Sequence, residues 1–470
     1  MDRDRYVDFL RAFAIILVVL GHWLITGLVH GADGEITAPE LLAVVPWTQW
    51  LTLAFQIMPL FFLAGGHAAG GSWSRARTAG ATATGWVRQR AVRLLLPTLA
   101  YCGPALLAVG ICTAVGVDPY TLALVGWALA MQFWFLPVYL ILTALTPALH
   151  RAHRRWGHRV PVAMGAVALA ADVLVMAAHV PYVGLLNYVV VWGVAYQSGF
   201  CWRDGLPTGR RRWLVPAAMT VGGGAAFAAL VTLGPFPVSL ILVTGQVPSN
   251  TDPPSAAMLA WTVAQVGLCL LVAPWARRLT DRERVWRVVR PVGGASMTLY
   301  LWHMLPVLIV AAAFYLTGLA PEPAYASSAW WALRVPWWVV LGIVMTGVVV
   351  ALGPLERALS LLYEWTRPHT DPRRPWRLWL GLAATAAALT RFAVQGLAHD
   401  GRFPTLPALG LFLGALLVLL PERAAPLRDT SSPGPVESGA TGPRPGVARP
   451  PGVPVSESER GCGVPRTPLP

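Results

Sequence analysis

The chain contains no lysine and little charge of either sign: all 36 basic residues are arginine, and charged residues of every kind make up 12% of the 470. An ordinary soluble domain carries about twice that share, so a soluble globular protein is excluded. Cysteine is scarce as well. The five present, Cys102, Cys112, Cys201, Cys269 and Cys462, show no CxxC pair and no metal-ligand spacing, which argues against a disulfide framework or a zinc site. No histidine stands at ligand spacing from a cysteine or carboxylate, so no metal is expected. No internal repeat of the kind that marks inverted-repeat transporters is visible. A cleavable signal peptide is not expected either, because Asp8 interrupts the first apolar run and no small-residue cleavage site follows it.

What the chain has in abundance is apolar length. Hydrophobic residues make up 56% and the mean hydropathy is +0.56, values that belong to a polytopic membrane protein. A net charge of +14 would suggest nucleic acid in a soluble chain. Here the arginines sit in short loops between apolar runs, and no nucleic-acid partner is expected. Ten spans can be drawn, at 6–29, 47–69, 93–115, 132–149, 160–180, 184–200, 213–234, 256–275, 292–316 and 335–353. Alternate loops are rich in arginine: Arg75, Arg77, Arg88 and Arg90, then Arg151 to Arg159, Arg203 to Arg212, and Arg277 to Arg290. The opposite loops carry none, apart from Arg334. The positive-inside rule therefore predicts an all-α, ten-helix bundle in the cell membrane with both termini cytoplasmic. Trp47, Trp50, Trp330, Trp331, Trp337 and Trp338 then fall at the outer interface as an aromatic belt.

Beyond a membrane domain at 1–353 the character changes. Residues 354–377 read as a basic cytoplasmic linker, with Arg367, Arg373, Arg374 and Arg377. Two more apolar runs, 378–398 and 406–420, predict an extra transmembrane hairpin, although Arg391 interrupts the first and the second is short. From 421 to 470 the sequence is rich in Pro, Gly, Ser and Arg without periodicity, the composition of a disordered cytoplasmic tail.

Ionisable residues inside the spans narrow the chemistry. In RYVDFLRAFAIILVVLGHWLIT, helical geometry sets Arg11 and His22 about 20° apart around the axis and about 16 Å apart along it, with Asp8 about 40° from His22. One stripe thus carries all three. Such groups are tolerated in a bilayer where they face a bundle interior or a wet cavity, and that placement serves packing or chemistry equally well. WVRQRAVRLLLP brings Arg88, Arg90 and Arg93 together before the third span; Arg90 and Arg93 project as two forks suited to phosphate oxygens, and arginine there also serves topology. SMTLYLWHML puts His303 near mid-membrane with Tyr300 one turn earlier, and His67 ends the second span. Asp172 and His179 share a face in the fifth. A buried histidine can be a hydrogen-bonded packing residue or a proton acceptor.

RYVDFLRAFAIILVVLGH resembles the opening of the integral-membrane acyltransferase 3 family, marked by a basic residue, ten residues and a histidine. MPLFFLAGG (58–66), WVRQRAVRLLLP (86–97), FWFLPVYL (133–140) and SMTLYLWH (296–303) are similar to later motifs of that family, in order. GGHAAGGSW, YQSGFCWRDG and VPSNTDPPS resemble a branch common in actinobacterial chains. The similarity spans about residues 5–355. It implies transfer of an acyl group, most often acetyl, from cytoplasmic acyl-CoA to a hydroxyl on a carbohydrate, lipid, envelope polymer or secondary metabolite. By the same resemblance His22 is the essential histidine and Arg11 its basic partner, while Arg90 and Arg93, with Arg88 beside them, hold the donor. Asp8, His67, Trp134, Tyr300 and His303 are the further pocket candidates. Gly65-Gly66-His67 departs from the family's usual residues after the Phe-Phe pair, at a place where an acceptor contact would otherwise be expected.

Two other classes fit buried charge in a bundle. A transporter would use the same groups as a relay, and a scaffold would tolerate their loss. Acyl transfer accounts for more of the motifs than either.

Overall fold

Apolar backbone in lipid must bond to itself, and a helix does so within one segment. The computed structural model describes residues 4–30, 36–206, 208–209, 211–315, 317–319, 321–366 and 374–420. The tail at 421–470, read from sequence as disordered, lies outside them. Among the described residues nine helices are long and apolar enough to cross a membrane: Arg5–Ile25, Pro46–Thr78, Ala83–Ala114, Met131–Trp156, Arg159–Ala178, Arg211–Thr232, Ala256–Thr280, Ser328–Glu364 and Pro375–Gln395. A bent pair, Ser296–Trp302 and Leu305–Tyr315, makes a tenth if counted as one span, with 45° between its halves. The only strands among the described residues are Val29–His30 and Ile36–Thr37, paired antiparallel.

The helices follow the apolar runs with two informative differences. The sixth run forms a helix of 17 residues, Asn187–Arg203, shorter than a full span. Trp192, Tyr196 and Phe200 along it are buried, so it is an interior helix rather than a lipid-facing one. The tenth run does not stop at 353. Its helix continues to Thr366, through residues read from sequence as linker, because Leu355, Leu359 and Tyr363 keep one helical stripe beyond Pro354. Tyr363, the last of these, is buried beneath the Arg93 guanidinium, 4.7 Å from its ring centre.

Small residues let helices touch backbone to backbone. A Cβ on Gly66 would fall 1.8 Å from the Tyr196 carbonyl oxygen, and one on Gly199 would fall 2.3 Å from that of Leu63. The Met58–Thr78 and Asn187–Arg203 helices therefore cross at van der Waals contact, as small-residue faces do in membranes. Around this crossing packs one core, with Phe62, Trp192, Tyr196 and Phe200. A second core gathers Phe133, Tyr300, Leu301 and Phe392.

Phe392 belongs to the C-terminal hairpin, Pro375–Gln395 and Thr405–Leu419, which lies in one compact unit with everything before it. The hairpin is fastened at both ends. Leu397 N donates to Gly126 O at 2.9 Å. At the other end Arg88, buried in the third span, donates from Nε to Val418 O at 2.9 Å and from Nη2 to Leu419 O at 3.1 Å and Leu420 O at 3.0 Å. Those carbonyls are among the last four of a helix and lack intrahelical partners. Arg88, grouped with Arg90 and Arg93 by sequence, is thus committed to a helix terminus.

Replacing Gly66 by Ala drives a methyl into the Tyr196 carbonyl and is expected to cost about 1–3 kcal/mol. Gly222→Ala, where nothing lies within 4 Å of the new carbon, is expected to be neutral or slightly stabilising. Thermal unfolding midpoints in lipid nanodiscs check this; equal midpoints for the two variants would contradict the close crossing.

Candidate active site

The first helix is set by its ends. Asp4 caps it by accepting from Tyr6 N at 3.1 Å and also takes a charge-assisted bond from Arg277 Nη2 at 2.8 Å. At the far end three neighbours occupy its last carbonyls. Thr26 Oγ1 donates to His22 O at 2.7 Å, Trp337 Nε1 to Trp23 O at 3.1 Å, and Arg334 Nη1 to Thr26 O at 2.9 Å. His22 is therefore held in the final turn of a helix whose end cannot fray.

A cavity of about 1380 Å³ lies along this helix, lined by Arg11 at one level and by His22 and Thr26 further on. The rise from Arg11 to Thr26 makes it about 22 Å long. The stripe inferred from sequence is therefore split by the fold: Arg11 and His22 line the cavity, while Asp8 is buried outside its wall. Arg11 makes no hydrogen bond or ion pair with any described residue. Gln132, Trp134, Tyr139 and Tyr300 are among the polar and aromatic residues of the lining, which also has many aliphatic side chains.

His303 stands at the break between the Ser296–Trp302 and Leu305–Tyr315 helices. Its ring centre is 4.9 Å from that of His22, with the rings nearly perpendicular at 84°. His303 Nδ1 lies 2.9 Å from Tyr300 O, and since a carbonyl only accepts, this nitrogen carries the proton. The neutral ring then presents a bare Nε2, which is buried without a hydrogen-bond partner among the described residues, as is His22 Nδ1. Trp23 Nε1 donates to His303 O at 2.7 Å and ties the break to the first helix. Tyr300 donates its hydroxyl to Gln132 O at 2.8 Å, and Gln132 Nε2 reaches back to Leu301 O at 3.2 Å.

Gln132, which lines the cavity and keeps an unpartnered Oε1, was missed by sequence reasoning. Its signal was faint: one polar residue just before FWFLPVYL. Arg334 was missed as a site neighbour too. Its signal was clearer, since it is the exception in otherwise arginine-free loops.

The remaining candidates separate. Arg90 lies over the Trp86 ring at 5.5 Å. Arg93, exposed, lies over Tyr363. Neither guanidinium hydrogen-bonds to a described residue, so both keep their donors for a ligand, though neither lines the cavity itself. The His67 ring packs tilted at 49° against that of Trp202 with centres 4.6 Å apart, at the arginine-rich end and away from the cavity. Asp172 accepts from Asn187 Nδ2 at 2.8 Å and from Ala256 N, and so acts as a packing clamp. His179 is the left-handed residue that ends its helix, with φ of 51°.

At the end of the cavity beyond His22 the charged lining is acidic: Glu40, Asp118 and Asp252. All three accept bonds from neutral donors, Glu40 from Thr244 N at 3.0 Å, Asp252 from Tyr188 Oη at 2.6 Å and Asp118 from Thr121 N at 2.7 Å. The Thr121 amide holds Asp118 below the usual carboxylate range, so it stays ionised. Among the described residues no group of histidine, cysteine or carboxylate side chains could hold a metal ion.

A cation at one level and an imidazole further along a single cavity, with the buried His303 packed against that imidazole, can bind an anionic donor at one end and remove a proton at the other. Residues 4–353 match the family model of the acyltransferase domain. No curated protein and no solved structure matches the chain. The matched segment contains the Arg11–His22 helix, the Arg90–Arg93 pair and the His303 break, and it ends before the C-terminal hairpin. With its apolar helices and this match over three quarters of its length, the chain belongs to the acyltransferase 3 family and is a multi-pass membrane acyltransferase.

Proposed function

We propose that the protein sits in the cell membrane with both termini cytoplasmic and moves an acyl group, acetyl in the simplest case, from cytoplasmic acyl-CoA to a hydroxyl. The acceptor is carried on a carbohydrate, a lipid, an envelope polymer or a secondary metabolite. The observation that carries this reading is that Arg11 and His22 line one cavity, with a buried imidazole nitrogen left unpartnered beside it.

A hydroxyl is a weak nucleophile at neutral pH, and a neutral imidazole is the side chain best suited to take its proton as the oxygen attacks the thioester carbon. The tetrahedral intermediate then collapses. Its carbon–sulfur bond breaks, the thiolate takes the proton from the imidazolium, and the products are the acyl ester and free CoA. Arg11 stays charged at any working pH and offers its donors to CoA phosphate or to the developing oxyanion. Arg90 and Arg93 suit the same phosphates at the arginine-rich end, and a pantetheine arm would span the about 16 Å from Arg11 to His22. His303, perpendicular to His22, bounds that ring on one side.

His22→Ala is expected to lower acyl transfer at least about 100-fold while the protein inserts at the wild-type level. Release of free CoA from acetyl-CoA in proteoliposomes supplied with a cell-envelope extract measures it, and retained turnover would refute the general-base role. Arg90→Gln is expected to raise KM for acyl-CoA several-fold with kcat moved less, as loss of a phosphate contact should. An unchanged KM would remove Arg90 from the donor site.

A further inference from the structure

The match to the family domain ends at residue 353, yet the cavity does not end there. Ala393 and Val394, on the last turn of Pro375–Gln395, are part of its wall. They stand beside the helix Pro119–Ala128, whose Thr121, Leu124, Trp127 and Ala128 also face the cavity. The two elements meet at backbone distance. Gly396 adopts φ of 77°, and a Cβ there would fall 2.9 Å from Trp127 N, while Leu397 N bonds to Gly126 O. Phe392, fully buried, packs its ring 6.3 Å from that of Phe133, next to the Trp134 and Gln132 of the cavity. With Val307, Leu308 and Ala311 across from them, these residues make an apolar bay on the side of His22 away from Arg11.

Charge says which substrate the bay serves. CoA carries several phosphate charges and is drawn to Arg11, Arg90 and Arg93. The opposite end of the cavity is lined by the carboxylates Glu40, Asp118 and Asp252 and, among the described residues, by no cation; Arg334 lies behind Thr26 with its guanidinium against the Trp330 and Trp337 rings. An anionic molecule is repelled there, whereas a neutral or cationic one is admitted.

Resting on the acyl-transfer reading, we infer that the C-terminal hairpin is the acceptor-selecting wall of this enzyme, and that the acceptor is an uncharged or cationic hydroxyl compound with an apolar body. The hairpin holds that body in the bay so that the hydroxyl reaches His22.

The test uses the full chain in nanodiscs with acetyl-CoA as donor and methyl glucoside or octyl glucoside, both below micellar concentration, as acceptors. Ala393→Trp is expected to lower kcat/KM for octyl glucoside at least tenfold while that for methyl glucoside changes less than twofold. Ala387→Trp, exposed and about 120° round the same helix from Ala393, is expected to leave the ratio as in the wild type. An unchanged ratio in Ala393→Trp overturns the inference. So does a loss that follows the donor instead, with octanoyl-CoA turnover falling and acceptor preference unmoved, because the bay would then house the acyl chain. A second measurement needs no turnover. In a chain with Cys112 and Cys462 changed to Ser, octyl glucoside is expected to slow N-ethylmaleimide labelling of Ala393→Cys at least fivefold and to spare Ala387→Cys. Protection without any CoA release would refute acyl transfer and keep the bay; CoA release without protection would refute the bay alone.

Discussion

Accommodating Arg11 and His22 inside an apolar bundle is the constraint on which this structure rests. A guanidinium held within the bilayer is costly, and it is tolerated where it faces a cavity or a partner. Arg11 has no partner among the described residues, so the helices stand apart around it and leave a cavity along the first helix. Once that cavity exists, its walls need support that does not fill it. The support comes from polar contacts at the edges: Trp23 to the His303 carbonyl, Tyr300 to Gln132, and Trp337 and Arg334 to the end of the first helix.

Arg334 illustrates how one side chain reconciles two demands. It lies in the helix Ser328–Thr366, at the end of the bundle where the loops between the first ten apolar runs carry no other arginine and a charge bias would disfavour one. Its guanidinium lies 4.0 Å from the centre of the Trp330 ring and 5.3 Å from that of Trp337, and it caps the carbonyl end of the helix that carries His22. A cation is favoured at that pole by the helix dipole, and the indole faces replace part of its lost hydration.

The spans and the arginine asymmetry were legible in the sequence because both are one-dimensional: an apolar run needs only its length, and a loop only its charge. The shared face of Arg11 and His22 was legible for a similar reason, since the helix period fixes it without knowledge of neighbours. Contacts across the bundle were not. His22 and His303 are far apart in the chain, and nothing local says that their rings meet. Asp8 shares the stripe but not the cavity, because a neighbouring helix rather than its own decides what faces it. Arg88 looked like its neighbours Arg90 and Arg93, and only the arrival of the last helix gives it a different occupation. The 187–203 helix read as one more span because hydropathy does not distinguish a buried helix from a lipid-facing one.

That arrival has a consequence for how the molecule is made. Arg88 enters the growing bundle with its third helix, long before Val418, Leu419 and Leu420 exist to receive its hydrogen bonds. Until synthesis reaches them, these three hydrogen bonds of a buried guanidinium cannot form, so the early helices remain an unfinished assembly. The final turn of the last described helix, Thr405–Leu419, is thus a latch on the first half, and the boundary at 353 divides a family resemblance without dividing a folding unit.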